Sequence, residues 1–395
     1  MSSAPRGLRT HIGLFGRRNV GKSSVLNALT RQQVAIVSPT PGTTTDPVEK
    51  PMEFLPLGPV LFVDTAGIDD EGALGEQRIA KTRKALERTD LALLVAEAAS
   101  WGPFEEELLG EIRARAIPVV VVLNKVDAGP PSPVLLERLA AASVPAVETS
   151  VVSDRGVADL RRALLAAAPS DVLEGRRIVG DLVSPGDVVV LVTPIDAEAP
   201  KGRLILPQVQ TLRDLLDSGA IAVVAREHEL KEALASLSRP PRLVVTDSQA
   251  FRQVSADVPP GVPLTSFSIL FARFQSDLAE MARGVAGVDR LKAGDHVLVA
   301  EACTHHPVGE DIGRVKIPRW LRERTGVPLE FETVQGRDFP EDLSPYALVV
   351  HCGSCMGNRR EMLSRLLRGR QAGVPVTNYG LTIAYSLGIL DRALE

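Results

Sequence analysis

The chain has few aromatic residues and no dominant charge. Phe, Tyr and Trp make up 4% of it, which leaves few platforms for stacking on single-stranded nucleic acid. Lys and Arg number 45 against 49 Asp and Glu, a net charge of −4. The basic footprint of a non-specific nucleic-acid binder is therefore missing. No apolar run approaches the roughly 18 residues needed to span a bilayer. The opening residues, MSSAPRGLRTHIGLFG, pass directly into a strand-like run. Neither a signal peptide nor a membrane partner is expected from them. There is no His-rich tract of the kind that stores nickel. Cysteine is nearly absent, with 3 residues in 395. An odd count in a chain without an export signal argues against a disulfide framework and points to a reducing cytoplasm.

What is present suits a globular α/β protein. The chain is 45% apolar and 24% charged, and its length suggests two or three domains. From Thr10 to about Ala167, the runs THIGLFG, VLFVDTAG, LALLVAE, VVVVLNK and AVETS read as buried parallel strands. Helices such as 22–31 and 73–87 lie between them. A candidate linker at 169–186 is rich in Gly, Pro and mixed charge. The βα alternation then restarts with DVVVLVTP, AIAVVA and RLVVTD. In the helix after Pro207, the spacing places Val209, Leu212, Leu215 and Leu216 on one face. Nothing between residues 187 and 275 carries chemistry, so that block reads as a scaffold or an association module. A third block, from about Phe274, shows the strands HVLVAEAC and YALVVHC and the helix NRREMLSRLLRGRQAG ending at a glycine.

The first block carries a full guanine-nucleotide signature. Gly16-Arg17-Arg18-Asn19-Val20-Gly21-Lys22-Ser23-Ser24 follows a strand and opens a helix, where backbone amides and the helix N-terminus suit phosphate. Lys22 is expected to reach the β- and γ-phosphates, and Ser23 to bind Mg²⁺. Asp64 ends a strand and can hold the magnesium shell, with Gly67 meeting the γ-phosphate. Asn124-Lys125-Val126-Asp127 ends another strand. The Asp127 carboxylate can accept both N–H groups of a guanine edge. Ser150 follows the next strand, where loop backbone can meet guanine O6. Thr43, Thr44 and Thr45 lie in the loop that senses γ-phosphate and magnesium.

All three cysteines fall in the third block. Cys303-Thr304-His305 and His351-Cys352-Gly353-Ser354-Cys355 each end a strand-like run. Thiolates select soft metals, so zinc and iron–sulfur are both open from spacing alone. His305 and His351 are candidate further ligands. His351 would point away from the site if its strand ran on through Cys352, and a lone His at a strand end is more often a hydrogen-bonded bystander. His305 and His306 are adjacent, so only one can easily face the site.

The nucleotide motifs resemble the TrmE–Era–EngA group of translation-factor-class GTPases. In that likeness PGTTTD stands for the group's GTTRD switch, which favours Thr44 for the magnesium shell, and Thr45 departs from the usual Arg. Ile68 stands where Ras-like enzymes carry a water-orienting Gln, which implies slow hydrolysis. In the potassium-dependent members an Asn at the position of Asn19 ligates K⁺ beside the phosphates. Lys22, Asn19 and Thr44 are thereby the expected catalytic residues. The combination of GRRNVGKSS, PGTTTD, TPIDAEAPKGRLILPQVQ and C-x-H…H-C-x-x-C is similar to the HydF family of FeFe-hydrogenase H-cluster maturation GTPases. That resemblance implies an α/β chain with an N-terminal P-loop GTPase domain (1–170), a dimerisation domain (171–273) and a cluster-binding domain (274–395). It also implies a 4Fe–4S cluster on Cys303, Cys352 and Cys355, a transient diiron precursor as cargo, and a homodimer. The implied partners are the apo FeFe-hydrogenase and two radical-SAM maturases, with no role for nucleic acid. The competing expectation is a K⁺-dependent GTPase with a structural zinc site, acting in tRNA modification or ribosome assembly.

Overall fold

The structure, a computed structural model, describes residues 4–31, 48–65, 82–169, 172, 175–195, 204–302, 311–336 and 338–395. The chain divides into two compact units, Met1–Gly175 and Arg176–Glu395.

The first unit is built on one six-stranded sheet. Its strands are β1 (Thr10–Phe15), β2 (Val48–Phe54), β3 (Gly58–Asp64), β4 (Leu91–Glu97), β5 (Val119–Asn124) and β6 (Ala146–Glu148). They lie in the order β2-β3-β1-β4-β5-β6. All neighbours are parallel except β2, which runs antiparallel to β3. Every residue of β1 and β5 is buried, as near-continuous apolar strands require when helices cover both faces. Ile12, Leu14, Val120 and Val122 face a core shared with Val25 and Leu26 of the helix Lys22–Thr30 and Leu160 of the helix Val157–Ala167. Phe15, Val121 and Leu123 face the opposite core, with Leu108, Leu109 and Ile112 of Pro103–Ala114. The sequence signals β2 poorly, because VEKPMEF contains a proline and three charges. It survives as an edge strand, where a missing N–H is tolerated. The expected helix at 73–87 falls within the described residues only from 82 onward.

The second unit holds two four-stranded parallel sheets. One contains β7 (Val188–Val192), β8 (Ile221–Ala225), β9 (Leu243–Thr246) and β10 (Leu264–Ser266), ordered β10-β9-β7-β8. The other contains β11 (His296–Glu301), β12 (Glu330–Gln335), β13 (Leu348–His351) and β14 (Val376–Asn378), ordered β12-β11-β13-β14. Val190, Val192 and Val244 of the first sheet share one apolar core with Leu298, Ala300 and Val350 of the second. On the other face of the first sheet, Val189, Leu191 and Val245 pack with Leu215, Phe267, Leu270 and Phe271.

The amphipathic reading of the helix Leu206–Asp217 requires correction. Gln208, Thr211 and Leu215 form its buried face, whereas Val209 is 45% exposed and Leu216 58% exposed. Of the polar residues that turn inward, Gln208 finds a partner: its Nε2 donates to Asp247 Oδ2 at 2.7 Å beyond the end of β9. Among the described residues no helix is long and apolar enough to cross a membrane.

Candidate nucleotide and thiolate sites

The phosphate loop is shaped by three residues with positive φ: Gly16 (142°), Asn19 (61°) and Gly21 (95°). At Gly16 a Cβ would stand 2.0 Å from the Val95 carbonyl oxygen, and at Gly21 it would stand 2.4 Å from Asn124 Nδ2. Both positions therefore exclude larger residues on space as well as on backbone angle. The loop closes over Lys22, whose Nζ donates to the carbonyls of Gly16 (3.0 Å) and Arg17 (2.8 Å). Behind it, Ser23 Oγ donates to Asp64 Oδ2 at 2.6 Å. The serine expected to bind magnesium and the carboxylate expected to hold its shell are thus in contact. Burial pushes the Asp64 carboxyl above its ordinary range, while the Ser23 bond and the Lys22 charge oppose that shift. A carboxylate held this way gains from a cation that neutralises it.

The base-recognition segment is tied to the same loop. Asn124 Nδ2 donates to the Val20 carbonyl at 2.9 Å, and Asn124 Oδ1 accepts from Thr149 Oγ1 at 3.0 Å. Asn124 is thus a brace between the phosphate loop and the strand that leads to Ser150. Lys125 takes a left-handed backbone (φ 60°) and pairs with Glu97. Asp127 is exposed at the rim. Ser150 opens a turn in which its N–H and the carbonyl of Arg155 bond at 3.0 Å.

Arg17 contributes backbone here. Its guanidinium bonds the fully buried Glu105 at 2.8 Å and lies 5.4 Å from the centre of the Phe104 ring. Arg18, Val20 and Ser24 complete the loop and the first turn of its helix. Thr43, Thr44, Thr45, Gly67 and Ile68 lie outside the described residues, as do Cys303, His305 and His306.

The second site sits at the C-terminal edge of the β12-β11-β13-β14 sheet, where parallel α/β sheets usually bind ligands. Ala300 of β11 is in register with His351 of β13. The chain beyond each strand end carries the cysteines. Cys352 Sγ accepts the amide N–H of Ala302 at 3.1 Å, the residue before Cys303, and that of Ser354 at 3.4 Å. Ser354 adopts φ 54°, and the Gly357 amide donates to its carbonyl at 3.1 Å. Asn358 then caps the helix Arg359–Ala372, accepting from the Glu361 amide at 3.2 Å. Burial pushes the Cys352 thiol up, and the two amide bonds and the charge of Arg365 pull it back. Cys355 packs against the core that contains Phe271. Cys352 and Cys355 carry free thiols, not a disulfide. Among the described residues no group of three or more His, Cys, Asp and Glu stands together as a metal centre. Two soft thiol donors one turn apart, one of them already receiving two amide N–H groups, fit a thiolate-bound cluster.

His351 is placed differently from a ligand. Its Nδ1 lies 2.8 Å from the Cys352 carbonyl, and its Nε2 lies 2.6 Å from Arg365 Nη1. Arginine only donates, so Nε2 must be the acceptor and Nδ1 must carry the proton. Both nitrogens of the candidate ligand are thereby engaged. Burial, reinforced by the Arg365 charge, lowers the His351 pKa to about 3. Arg365 itself was not legible in the sequence. It is one of several arginines in RREMLSRLLRGR, and only the fold shows that it turns inward to 5% side-chain exposure.

Three family models match successive parts of the chain. The Hydrogen maturase F dimerization domain matches residues 178–276, and the Hydrogen maturase F tetramerization domain matches residues 279–395. A 50S ribosome-binding GTPase domain matches residues 11–125. GTPase Der of Wolinella succinogenes is 43% identical over 131 residues, 32% of this chain and 27% of the relative. The tRNA modification GTPase MnmE of Nitrosomonas europaea is 37% identical over 156 residues, 39% of this chain and 34% of the relative. The chain thus spans only about a third of the length of these curated relatives. Among solved structures, Aquifex aeolicus Era bound to GDP·AlF4⁻ is 21% identical with a TM-score of 0.37, covering 63% of this chain and 99% of that one. The G domain of the T. maritima FeoB iron transporter is 24% identical with a TM-score of 0.32, covering 40% of this chain and 98% of that one. An N-terminal P-loop GTPase domain followed by both hydrogen maturase domains defines one architecture, and the chain belongs to the hydrogen maturase F family.

Proposed function

We propose that the chain is a GTP-hydrolysing scaffold and carrier that holds a 4Fe–4S cluster and delivers a diiron precursor to apo FeFe-hydrogenase. The observation that carries this reading is the coexistence of two sites in one chain. One is a phosphate loop in which Ser23 meets Asp64. The other is a C-x-x-C loop in which Cys352 Sγ accepts two amide N–H groups. Two radical-SAM maturases supply the cargo in this reading, and the site of action is the cytoplasm.

At the nucleotide site, Lys22 contacts the β- and γ-phosphates, and Ser23, Asp64 and Thr44 hold Mg²⁺. Asp127 selects guanine, with Ser150 backbone at O6 and Gly67 at the γ-phosphate. Because Ile68 cannot orient water as a Gln would, hydrolysis is slow and depends on added positive charge. Asn19, exposed on a left-handed turn of the loop, supplies the K⁺ ligand. GTP hydrolysis should run faster in KCl than in NaCl at equal ionic strength, and Asn19→Ala should abolish the difference. Equal initial rates in the two salts, unchanged by Asn19→Ala, would remove potassium from the mechanism.

At the thiolate site, Cys303, Cys352 and Cys355 hold the cluster. Bound by three thiolates, such a cluster supplies a redox centre with one iron open to exchangeable ligands. His351 orients the loop and His305 lies beyond the described residues.

Residues 171–273 form the dimer contact in this reading. The sheet ends at β8, a parallel edge strand with Ile221 52% exposed and Val224 45% exposed. Unpaired apolar edges of this kind are covered in native proteins. Fully burying an exposed valine is worth about 1.5–3 kcal/mol; Val224 is already more than half buried, so each copy gains about half of that, and a two-fold axis counts it twice, roughly 1.5–3 kcal/mol in all. Val224→Lys should therefore convert a dimer into a monomer at micromolar concentration in light scattering. An unchanged mass would move the contact elsewhere.

A further inference from the structure

The hydrogen bonds behind the C-x-x-C loop form a continuous chain. Arg365 stands on the helix that follows the loop. Its Nη2 donates to the Gly336 carbonyl and to Glu361 Oε1, both at 2.7 Å, and its Nη1 donates to His351 Nε2 at 2.6 Å. The guanidinium carbon also lies 4.9 Å from the centre of the Phe339 ring. His351, fully buried, passes the connection on by donating Nδ1–H to the Cys352 carbonyl. The peptide on the other side of that carbonyl leads into Gly353 and Ser354, whose amide faces the Cys352 sulfur. Pulling the Cys352 carbonyl toward the imidazole thus turns the loop's N–H groups toward the thiolate.

We propose that Arg365 is a positioning residue for the thiolate site. Through His351 it fixes the Cys352–Cys355 loop, and its permanent charge favours the more negative state of a cluster bound there. This role rests on the cluster reading above. A guanidinium suits it better than an ammonium would, because one planar fork serves a carbonyl, a carboxylate and an imidazole together. The charge cannot be lost by titration. Glu361, its one carboxylate partner among the described residues, is 26% exposed and so offsets the charge only in part.

The test is a mediated redox titration, followed by EPR, of the full chain after anaerobic reconstitution with iron and sulfide. Iron, acid-labile sulfide and GTPase rate are measured on the same samples. Arg365→Met should reduce the reduced-to-oxidised ratio at a fixed potential about tenfold, a downward shift of about 59 mV for a one-electron couple. Arg365→Lys, which keeps the charge but loses the fork, should lower the ratio clearly less than Arg365→Met does. Should Arg365→Met hold too little cluster to titrate, Glu361→Gln gives an independent sign, because removing the opposing charge should move the potential upward. GTPase rates should be unchanged in all three. Wild-type potentials in Arg365→Met overturn the proposal, as does an equal fall in the Met and Lys variants, which would assign the effect to packing. A Glu361→Gln potential that is unchanged or lower overturns it as well. Wild-type protein that takes up no iron or sulfide is a different result, because it overturns the cluster reading itself.

Discussion

Serine in place of Cys352 should leave a protein that hydrolyses GTP at the wild-type rate and holds no intact 4Fe–4S cluster. The two activities separate because the nucleotide site belongs to the unit Met1–Gly175 and the cysteine to the unit Arg176–Glu395. The loss should be complete because the chain offers 3 cysteines in all, and a cubane deprived of one of three anchors has no spare thiolate to recruit. Cys352 is the most informative of the three. Its sulfur sits where burial opposes the thiolate, yet two amides point at it. That expenditure of hydrogen bonds makes sense if a metal draws the thiol into its anionic form. Cys303→Ser and Cys355→Ser should behave alike. Anaerobic reconstitution and EPR of the reduced protein read the cluster, and co-expression with the maturases and an FeFe-hydrogenase reads its consequence. Wild-type spectra in all three variants would displace the ligand assignment. Full hydrogenase activation by a variant without a cluster would displace the role.

Lys22→Ala should weaken GTP binding about 10- to 10²-fold, the worth of one charge-assisted contact to phosphate of roughly 1.5–3 kcal/mol. Asp127→Asn should do something different. It should lose a comparable factor for GTP while binding to ATP stays near its former level, so that selectivity collapses. Asn124→Ala should combine both defects, because Asn124 braces the Val20 carbonyl as well as Thr149. Direct titration with fluorescent GDP and GTP, with ATP as competitor, separates the three patterns. A Lys22→Ala protein with wild-type affinity for GTP would mean that phosphate is held by amides alone.

The strands that could be read from sequence were those buried on both faces. LALLVAE and VVVVLN are apolar without interruption, and they appear as β4 and β5 at those positions. The strands that escaped, β2, β10 and β12, are half-exposed, very short or interleaved with charge. For these, position in the sheet decides the conformation, and single-chain patterning carries little of that information. The nucleotide loop was legible because phosphate binding demands fixed glycines at fixed spacing, and Gly16 and Gly21 are sterically irreplaceable. The Leu206–Asp217 helix misled because periodicity cannot tell a core-facing stripe from one awaiting a partner. Arg365 left no trace, since a buried guanidinium and a solvated one are the same letter until the fold gives one of them His351 to hold.

The exposed edge at β8 bears on the life of the chain before it finds a companion. A newly made protomer presents Ile221 and Val224 on an open strand, with Val209 and Leu216 also bare on the helix Leu206–Asp217. Such a surface pairs with whatever strand arrives first. At low expression, wrong encounters compete with the right one, and slow synthesis lengthens the window. Yield of usable protein should therefore rise faster than in proportion to expression level over the range where self-encounter begins to dominate. The same edge makes strong dilution hazardous during purification, when released protomers meet surfaces and contaminants more often than each other.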